Sequence, residues 1–220
     1  MKAELRCIDI LLCIAGLMMP DKLQKTKEGV EIQFAVNYLS HFALTAGLFP
    51  LLKTSPAPRV ITVSSIANHP VRFDLGDATA ARGYSASVSY ALSKLCCLMF
   101  AMELAKRSEE KGWGVTACGV HPGLARTRLF NRSHGFIMTL LQVIFFIFPF
   151  IRQSTKGAAL PALFAATSPK AVSGRYYGPL FLGVMGPPCP APLPLRAKNR
   201  KLRNELWDFS VSLTGQDIGR

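Results

Sequence analysis

The sequence predicts an α/β fold, a mostly parallel sheet with helices on its faces. Three observations predict it. Short aliphatic runs stop at small residues, stretches with helical spacing separate those runs, and the two kinds alternate along the chain. Residues 8–14 (IDILLCI) are aliphatic and stop at Ala15-Gly16, which reads as a strand buried on both faces. From about Val30 to Leu52, the residues Phe34, Leu39, Phe42 and Ala46 recur at helical spacing, with Pro50 near the end. Residues 57–65 (APRVITVSS) predict a second buried strand that ends in small polar residues. Ser85 to about Lys106 predicts a long helix, and residues 112–120 (GWGVTACGV) predict a third strand, followed by His121-Pro122-Gly123. Gly186 to Pro194 (GPPCPAPLP) reads as an extended connection, and Leu206 to Leu213 as a short terminal helix. In parallel sheets ligands sit beyond the carboxyl ends of the strands. Those ends carry Ala15-Gly16, Ser64-Ser65 and Pro122-Gly123, so the site is expected there.

Composition narrows the class. The chain has 220 residues, half of them hydrophobic, enough for one sizeable core and too apolar for a disordered chain. Its net charge of +13 raises anionic partners. The basic residues are scattered, however, apart from Arg196, Lys198, Arg200, Lys201 and Arg203, and the plain reading is a solvated basic surface. No zinc-finger spacing and no RNA-binding aromatic signature is present, so nucleic acid is not an expected partner. The six cysteines, Cys7, Cys13, Cys96, Cys97, Cys118 and Cys189, form no CxxC pair and mostly sit in apolar runs. Reduced buried thiols in a cytoplasmic or membrane-associated protein fit them better than a disulfide framework. Residues 8–19 lack the flanks of a secretory signal. Residues 136–151 (FIMTLLQVIFFIFPFI) are nearly all apolar but short of the ~20 that a spanning helix needs. They read as a substrate-covering or core segment, with contact to a membrane surface as the alternative.

The chemistry concentrates in residues 84–94 (YSASVSYALSK). On a helix, Tyr90 and Lys94 stand four apart and share a face. A free phenol has a pKa near ~10, and a neighbouring ammonium favours its ionised form. The pair therefore makes a coherent general acid/base unit. Ser65 ends a predicted strand, where its hydroxyl can serve a substrate carbonyl, although Ser64 and Ser65 taken singly read more readily as a turn or a helix cap. Asn37 lies within a predicted helix, an unfavourable place for Asn unless a partner holds it.

Asn37, Ser65, Tyr90 and Lys94, in that order and on those elements, resemble the catalytic tetrad of the short-chain dehydrogenase/reductase family. The closer likeness is to the retinol dehydrogenase-like branch. It is carried by DILLCIAGLMMP, VNYLSHFALT, RVITVSS, YALSKL, HPGLARTRL and LWDFSVSLTG, which together span nearly the whole chain. The resemblance implies a Rossmann-like sheet over residues 1–220, with a substrate-covering segment at 131–170. It implies that Tyr90 donates or accepts the proton, that Lys94 tunes it and holds the nicotinamide ribose, that Ser65 orients the carbonyl and that Asn37 supports a proton relay. Ala15, Gly16, Pro122, Gly123 and Thr127 would line the cofactor together with Tyr90 and Lys94. The cofactor implied is NAD(P), more readily NADP, and no metal is implied. The reaction implied is interconversion of a hydrophobic alcohol and its aldehyde or ketone, in a protein that can form a homodimer.

Two departures qualify the likeness. The family opens with a strand and a Gly-rich TGxxxGxG turn that binds pyrophosphate through backbone N–H groups. No such turn occurs here, and about three strands are expected to be missing before residue 8. The family's Asn-Asn-Ala-Gly is also Cys13-Ile14-Ala15-Gly16 in this chain, and Ile14 cannot hydrogen-bond through its side chain. An incomplete sheet would leave an open edge and exposed apolar surface. The alternative reading is therefore a catalytically impaired member of the family that acts as an interaction or membrane-associated protein.

Overall fold

The computed structural model describes residues 6–69, 71–80, 83–124 and 153–219. A five-stranded sheet has the order β1-β2-β3-β4-β5, with β1 at Ile10–Cys13, β2 at Arg59–Val63, β3 at Thr116–Val120, β4 at Tyr176–Phe181 and β5 at Met185–Pro190. The first four run parallel and β5 is antiparallel. Helix α1 covers Ile32–Lys53, α2 Ala86–Lys111, α3 Thr155–Thr167, α4 Leu195–Lys198 and α5 Arg200–Thr214.

Helices cover both faces of the sheet. Val60 and Ala117 point into a large core shared with α1, α2 and α5. Their neighbours Ile61 and Cys118 point the opposite way, into a smaller core with Ala165 and Ala166 of α3. That alternation explains why β2 and β3 read as continuous apolar runs, since each of their faces needs an apolar side chain. Aromatic rings fill the larger core. Phe42 meets Trp207 at 5.2 Å, and Phe34 meets Tyr38 at 5.1 Å, both edge to face.

β1 departs from the expectation of burial on both faces. Cys13 is buried, but Ile10, Leu12 and Ile14 are 42, 40 and 53% exposed. β1 is an edge strand, paired only with β2 among the described residues, and the neighbouring α3 leaves Leu160 and Leu163 exposed as well. β1 thus presents an apolar edge among the described residues.

Gly186–Pro194 holds most of a strand rather than a plain connection. Pro190 pairs with Tyr177 and Pro188 with Pro179. Proline is tolerated because β5 is an edge strand, where a missing N–H breaks no ladder on the outer side. The terminal helix begins at Arg200, ahead of the expected Leu206, because Asn199 caps it by accepting from the N–H groups of Lys201 and Leu202. Arg203, part of the C-terminal basic cluster, is buried against Glu103 at 3.2 Å. The segment 136–151, Thr127 and the first part of 131–170 lie outside the described residues.

Candidate functional site

Three strand ends meet the amino-terminal half of α2. α2 is well stopped and well buried: Gly112 closes it in the left-handed conformation, and Tyr90 and Lys94 are only 7 and 5% exposed. The spacing that placed these two residues on one helix face therefore points them into the protein, at the carboxyl ends of β1 and β2.

Lys94 Nζ donates to the Val63 carbonyl at the end of β2, at 3.0 Å. Burial pushes the Tyr90 hydroxyl above its usual range, and a hydrogen bond from Ser65 only partly offsets that. The direction is opposite to the lowering expected from Lys94. The physical reason is that desolvation of the phenol outweighs its polar neighbours, while the ammonium is turned to a backbone carbonyl.

The two adjacent serines divide their work. Ser64 Oγ donates to the Lys94 carbonyl at 2.6 Å and accepts from Asn68 Nδ2 at 2.8 Å, so it serves the scaffold. Ser65 interacts with Tyr90 through its side chain and also accepts from the Ala67 N–H at 3.2 Å, capping the short turn Ile66–Asn68. Ser65 is thus a turn cap whose side chain also faces Tyr90. Tyr176 OH steadies this corner from β4, accepting from Asn68 at 3.2 Å and donating to the Ser65 carbonyl at 3.4 Å.

Asn37 is fully buried in a π-helical stretch, Ala35–Leu39, within α1. Such one-turn distortions often accompany functional residues. Its Oδ1 accepts from the Leu17 N–H at 2.8 Å, and its Nδ2 donates to the Leu17 carbonyl and to Ser93 Oγ, both at 2.9 Å. The unfavourable helical Asn has its partners: it fastens the loop after β1 to the helix that bears Tyr90. Gly16, in that loop, lies so close that an added Cβ would sit 3.0 Å from Asn37 Oδ1 and 3.5 Å from Lys94 Nζ. Ile14 points outward and contributes no polar group, as its chemistry implied.

At the end of β3, Gly123 has φ +68, and a Cβ there would stand 2.2 Å from the Val184 carbonyl oxygen. Only glycine fits both the conformation and the approach. The Pro122 carbonyl accepts from Gln153 Nε2. Ala15, Gly16, Pro122 and Gly123 thus come to the same end of the sheet as Tyr90 and Lys94; Thr127 lies outside the described residues.

Several supporting residues escaped the sequence reading. Gln33, fully buried, accepts from the Met19 N–H at 2.7 Å and donates to the Ala86 carbonyl at 3.0 Å, tying the loop after β1 to the start of α2. Met19 is held at φ 48, a strained value for a residue with a Cβ. His41 and His121 are buried, His121 with an Nδ1 that has no hydrogen-bond partner among the described residues, and burial pushes His121 down to about 4. No spacing rule marks these residues, since their partners lie far along the chain.

Comparison with known proteins bears on this geometry. The family model for short chain dehydrogenases matches residues 1–135. Retinol dehydrogenase 12 of Homo sapiens is 36% identical over 214 residues, 97% of this chain and 63% of that protein. Retinol dehydrogenase 14 of Homo sapiens is 34% identical over 212 residues, 94% of this chain and 59% of that protein. The chain therefore spans under two thirds of the length of these curated relatives. Among solved structures, an uncharacterized protein from Mycobacterium Paratuberculosis superposes with a TM-score of 0.77 at 31% identity, over 99% of this chain and 70% of that one. The NADPH-bound carbonyl reductase from chicken fatty liver superposes with a TM-score of 0.54 at 16% identity, over 82 and 66% of the two chains, a likeness of fold alone.

Proposed function

The chain belongs to the short-chain dehydrogenase family, and from that premise we propose that it is an oxidoreductase interconverting a hydrophobic alcohol and its aldehyde or ketone with NAD(P), NADP in the first place. The observation that carries this reading is the meeting of Tyr90, Ser65, Lys94 and Asn37 at the carboxyl ends of β1 and β2. The names of the relatives, retinol dehydrogenases 12 and 14, support an apolar substrate.

The residues present suit the nicotinamide-ribose end of such a cofactor. Gly16 leaves open the space beside Asn37 and Lys94 that a Cβ would fill, and Gly123 brings backbone close at the far side. When bound, the cofactor supplies or accepts the hydride. In carbonyl reduction, Tyr90 gives its hydroxyl proton to the substrate oxygen, which Ser65 orients. Lys94 supplies the positive charge that favours the Tyr90 phenolate left behind. Asn37 holds the Leu17 backbone, and so the Ala15-Gly16 wall of the site, against Ser93. The segment 131–170 would cover the apolar substrate; contact to a membrane surface through 136–151, a location in the cytoplasm or at a membrane, and a homodimer belong to the same proposal.

Calorimetry of NADP(H) and NAD(H) with the full 220-residue chain is the first test, followed by turnover of a hydrophobic aldehyde. Micromolar binding, with turnover abolished in Tyr90→Phe while binding persists, is the expected result. A folded chain that binds neither cofactor at millimolar concentration would remove the proposal. That outcome would favour the second reading, an interaction protein, which the exposed Ile10, Leu12 and Ile14 at the sheet edge support.

A further inference from the structure

The turn between β4 and β5 runs against the preference of one of its own residues. The Val184 N–H donates to the Phe181 carbonyl at 2.9 Å, and the two residues between them, Leu182 and Gly183, have φ 53 and 69. Turns with positive φ at both central positions favour Asn, Asp or Gly there, because a larger side chain is strained in the left-handed region. Gly183 conforms and Leu182 does not. Packing within the chain does not offset the strain: Leu182 is 98% exposed, and its neighbours Leu180 and Phe181 are 51 and 59% exposed. An apolar tip that adds so little to the core, where a polar residue would hold the turn better, calls for an apolar partner.

The place of the tip and the charge around it select that partner. β4 pairs with β3 up to Tyr177 beside Val120 and then runs on to Phe181, so the tip projects beyond the carboxyl ends of the strands. The Leu124 N–H donates to the Val184 carbonyl at 3.1 Å, and the Gln153 N–H donates to the Leu124 carbonyl at 3.1 Å. The described chain therefore stops at Leu124 and resumes at Gln153 beside this turn, and the sequence between them contains the apolar run 136–151. No Asp or Glu occurs from Lys111 to Asn204, although that stretch carries half of the chain's 26 Lys and Arg. One of them, Lys156, is exposed in the first turn of α3, close after Gln153. A projecting apolar tip with unbalanced positive charge around it matches an anionic lipid surface, where leucine and phenylalanine enter the acyl boundary and Lys and Arg meet the headgroups.

We infer that the tip Leu180 to Leu182 of the β4–β5 turn is a membrane-docking element, which enters an anionic bilayer and turns the carboxyl ends of the strands toward it. This docking needs neither cofactor nor turnover, so it stands or falls separately from the oxidoreductase reading. Where that reading holds, docking sets the mouth of the site against the phase in which an apolar alcohol or aldehyde dissolves.

The test uses the full chain with vesicles of phosphatidylcholine, with and without phosphatidylserine. Leu182→Asn installs a residue that the turn prefers, so circular dichroism and thermal unfolding should show the fold kept or strengthened. Co-sedimentation of this variant with the anionic vesicles should fall about tenfold, the effect of withdrawing one buried leucine. Wild-type binding should weaken with added salt and without phosphatidylserine. In Leu182→Trp the added indole should be quenched by brominated acyl chains, beyond any quenching of Trp113 and Trp207 in the wild type. Equal binding of Leu182→Asn and wild type overturns the inference and moves any membrane contact to another surface, such as 136–151. An added indole already shielded from aqueous quenchers without lipid overturns it in favour of a tip covered by protein. A wild type that stays in the supernatant with anionic vesicles overturns it outright. Should Leu182→Trp fail to fold, the comparison of Leu182→Asn with wild type decides.

Discussion

Replacing Asn37 with Ala should cost the fold stability as well as disturb the site. Asn37 makes three hydrogen bonds, of 2.8, 2.9 and 2.9 Å, to Leu17 N–H, Leu17 C=O and Ser93 Oγ. At about 1 kcal/mol net for each, the sum is ~3 kcal/mol. Part of that is recovered. Leu17 is half-buried, so water can reach its backbone, and Ser93 Oγ keeps its bond to the Tyr90 carbonyl at 2.7 Å. A loss of roughly 2 kcal/mol remains. The assay is urea unfolding of the full chain, followed by the fluorescence of Trp113 and Trp207. With a slope of ~2–3 kcal/mol/M, the midpoint should fall by ~0.7–1 M. Ser93→Ala should cost less than Asn37→Ala, and the double variant less than the sum of the two, because they share one bond. Equal midpoints for Asn37→Ala and wild type would refute the view that this side chain is a structural clamp.

Other outcomes follow from the same structure. Gly123→Ala must place a Cβ 2.2 Å from the Val184 oxygen at a φ of +68, so thermal unfolding should come at a clearly lower temperature, with a left-handed strain of ~1–2 kcal/mol as the lower bound of the loss. Glu103 is buried between Arg107 at 2.9 Å and Arg203 at 3.2 Å. Glu103→Ala leaves Arg203 buried without its counter-charge and should lose ~3 kcal/mol, with faster hydrogen exchange across α5; unchanged exchange there would count against the pair. His121 falls from 6.5 unfolded to about 4 folded. The unfolded chain then binds the extra proton between those values, so the stabilisation is full above pH 6.5 and is lost as pH drops toward 4, by ~3 kcal/mol in all. His121→Gln should flatten that slope in acid unfolding, and an identical slope would refute the assignment. Tyr90 should ionise above the ordinary phenol range, so the absorbance rise lost in Tyr90→Phe should lie at higher pH than that of a free tyrosine; a loss at or below the free value would refute the desolvation.

The legible parts of this protein were local in sequence. Three strands and two long helices followed from runs and spacings within windows of a few residues, and the positions of Ala15-Gly16, Ser64-Ser65 and Pro122-Gly123 at strand ends followed from the same alternation. β4 and α3 were not read. β4 (YYGPLF) carries Gly and Pro inside it, and α3 carries Gly157 and Pro161, so their local preferences argue against the structures they adopt. Packing decides them: Tyr176 and Tyr177 enter opposite cores, and Ala165 and Ala166 close on Ile61 and Cys118.

By itself the sequence determined that Tyr90 and Lys94 share a helix face, because one helical turn is a local fact. It also determined that a helical Asn37 would need partners. Which partners, which serine faces Tyr90, and in which direction Tyr90 shifts were decided only by the tertiary structure. Asn37 meets Ser93 across 56 residues of chain, Gln33 meets the Ala86 carbonyl across 53, and Lys94 meets the Val63 carbonyl across 31. Contacts at that range, and the desolvation that raises Tyr90, exist only once the sheet and its helices have brought distant residues together and shut water out.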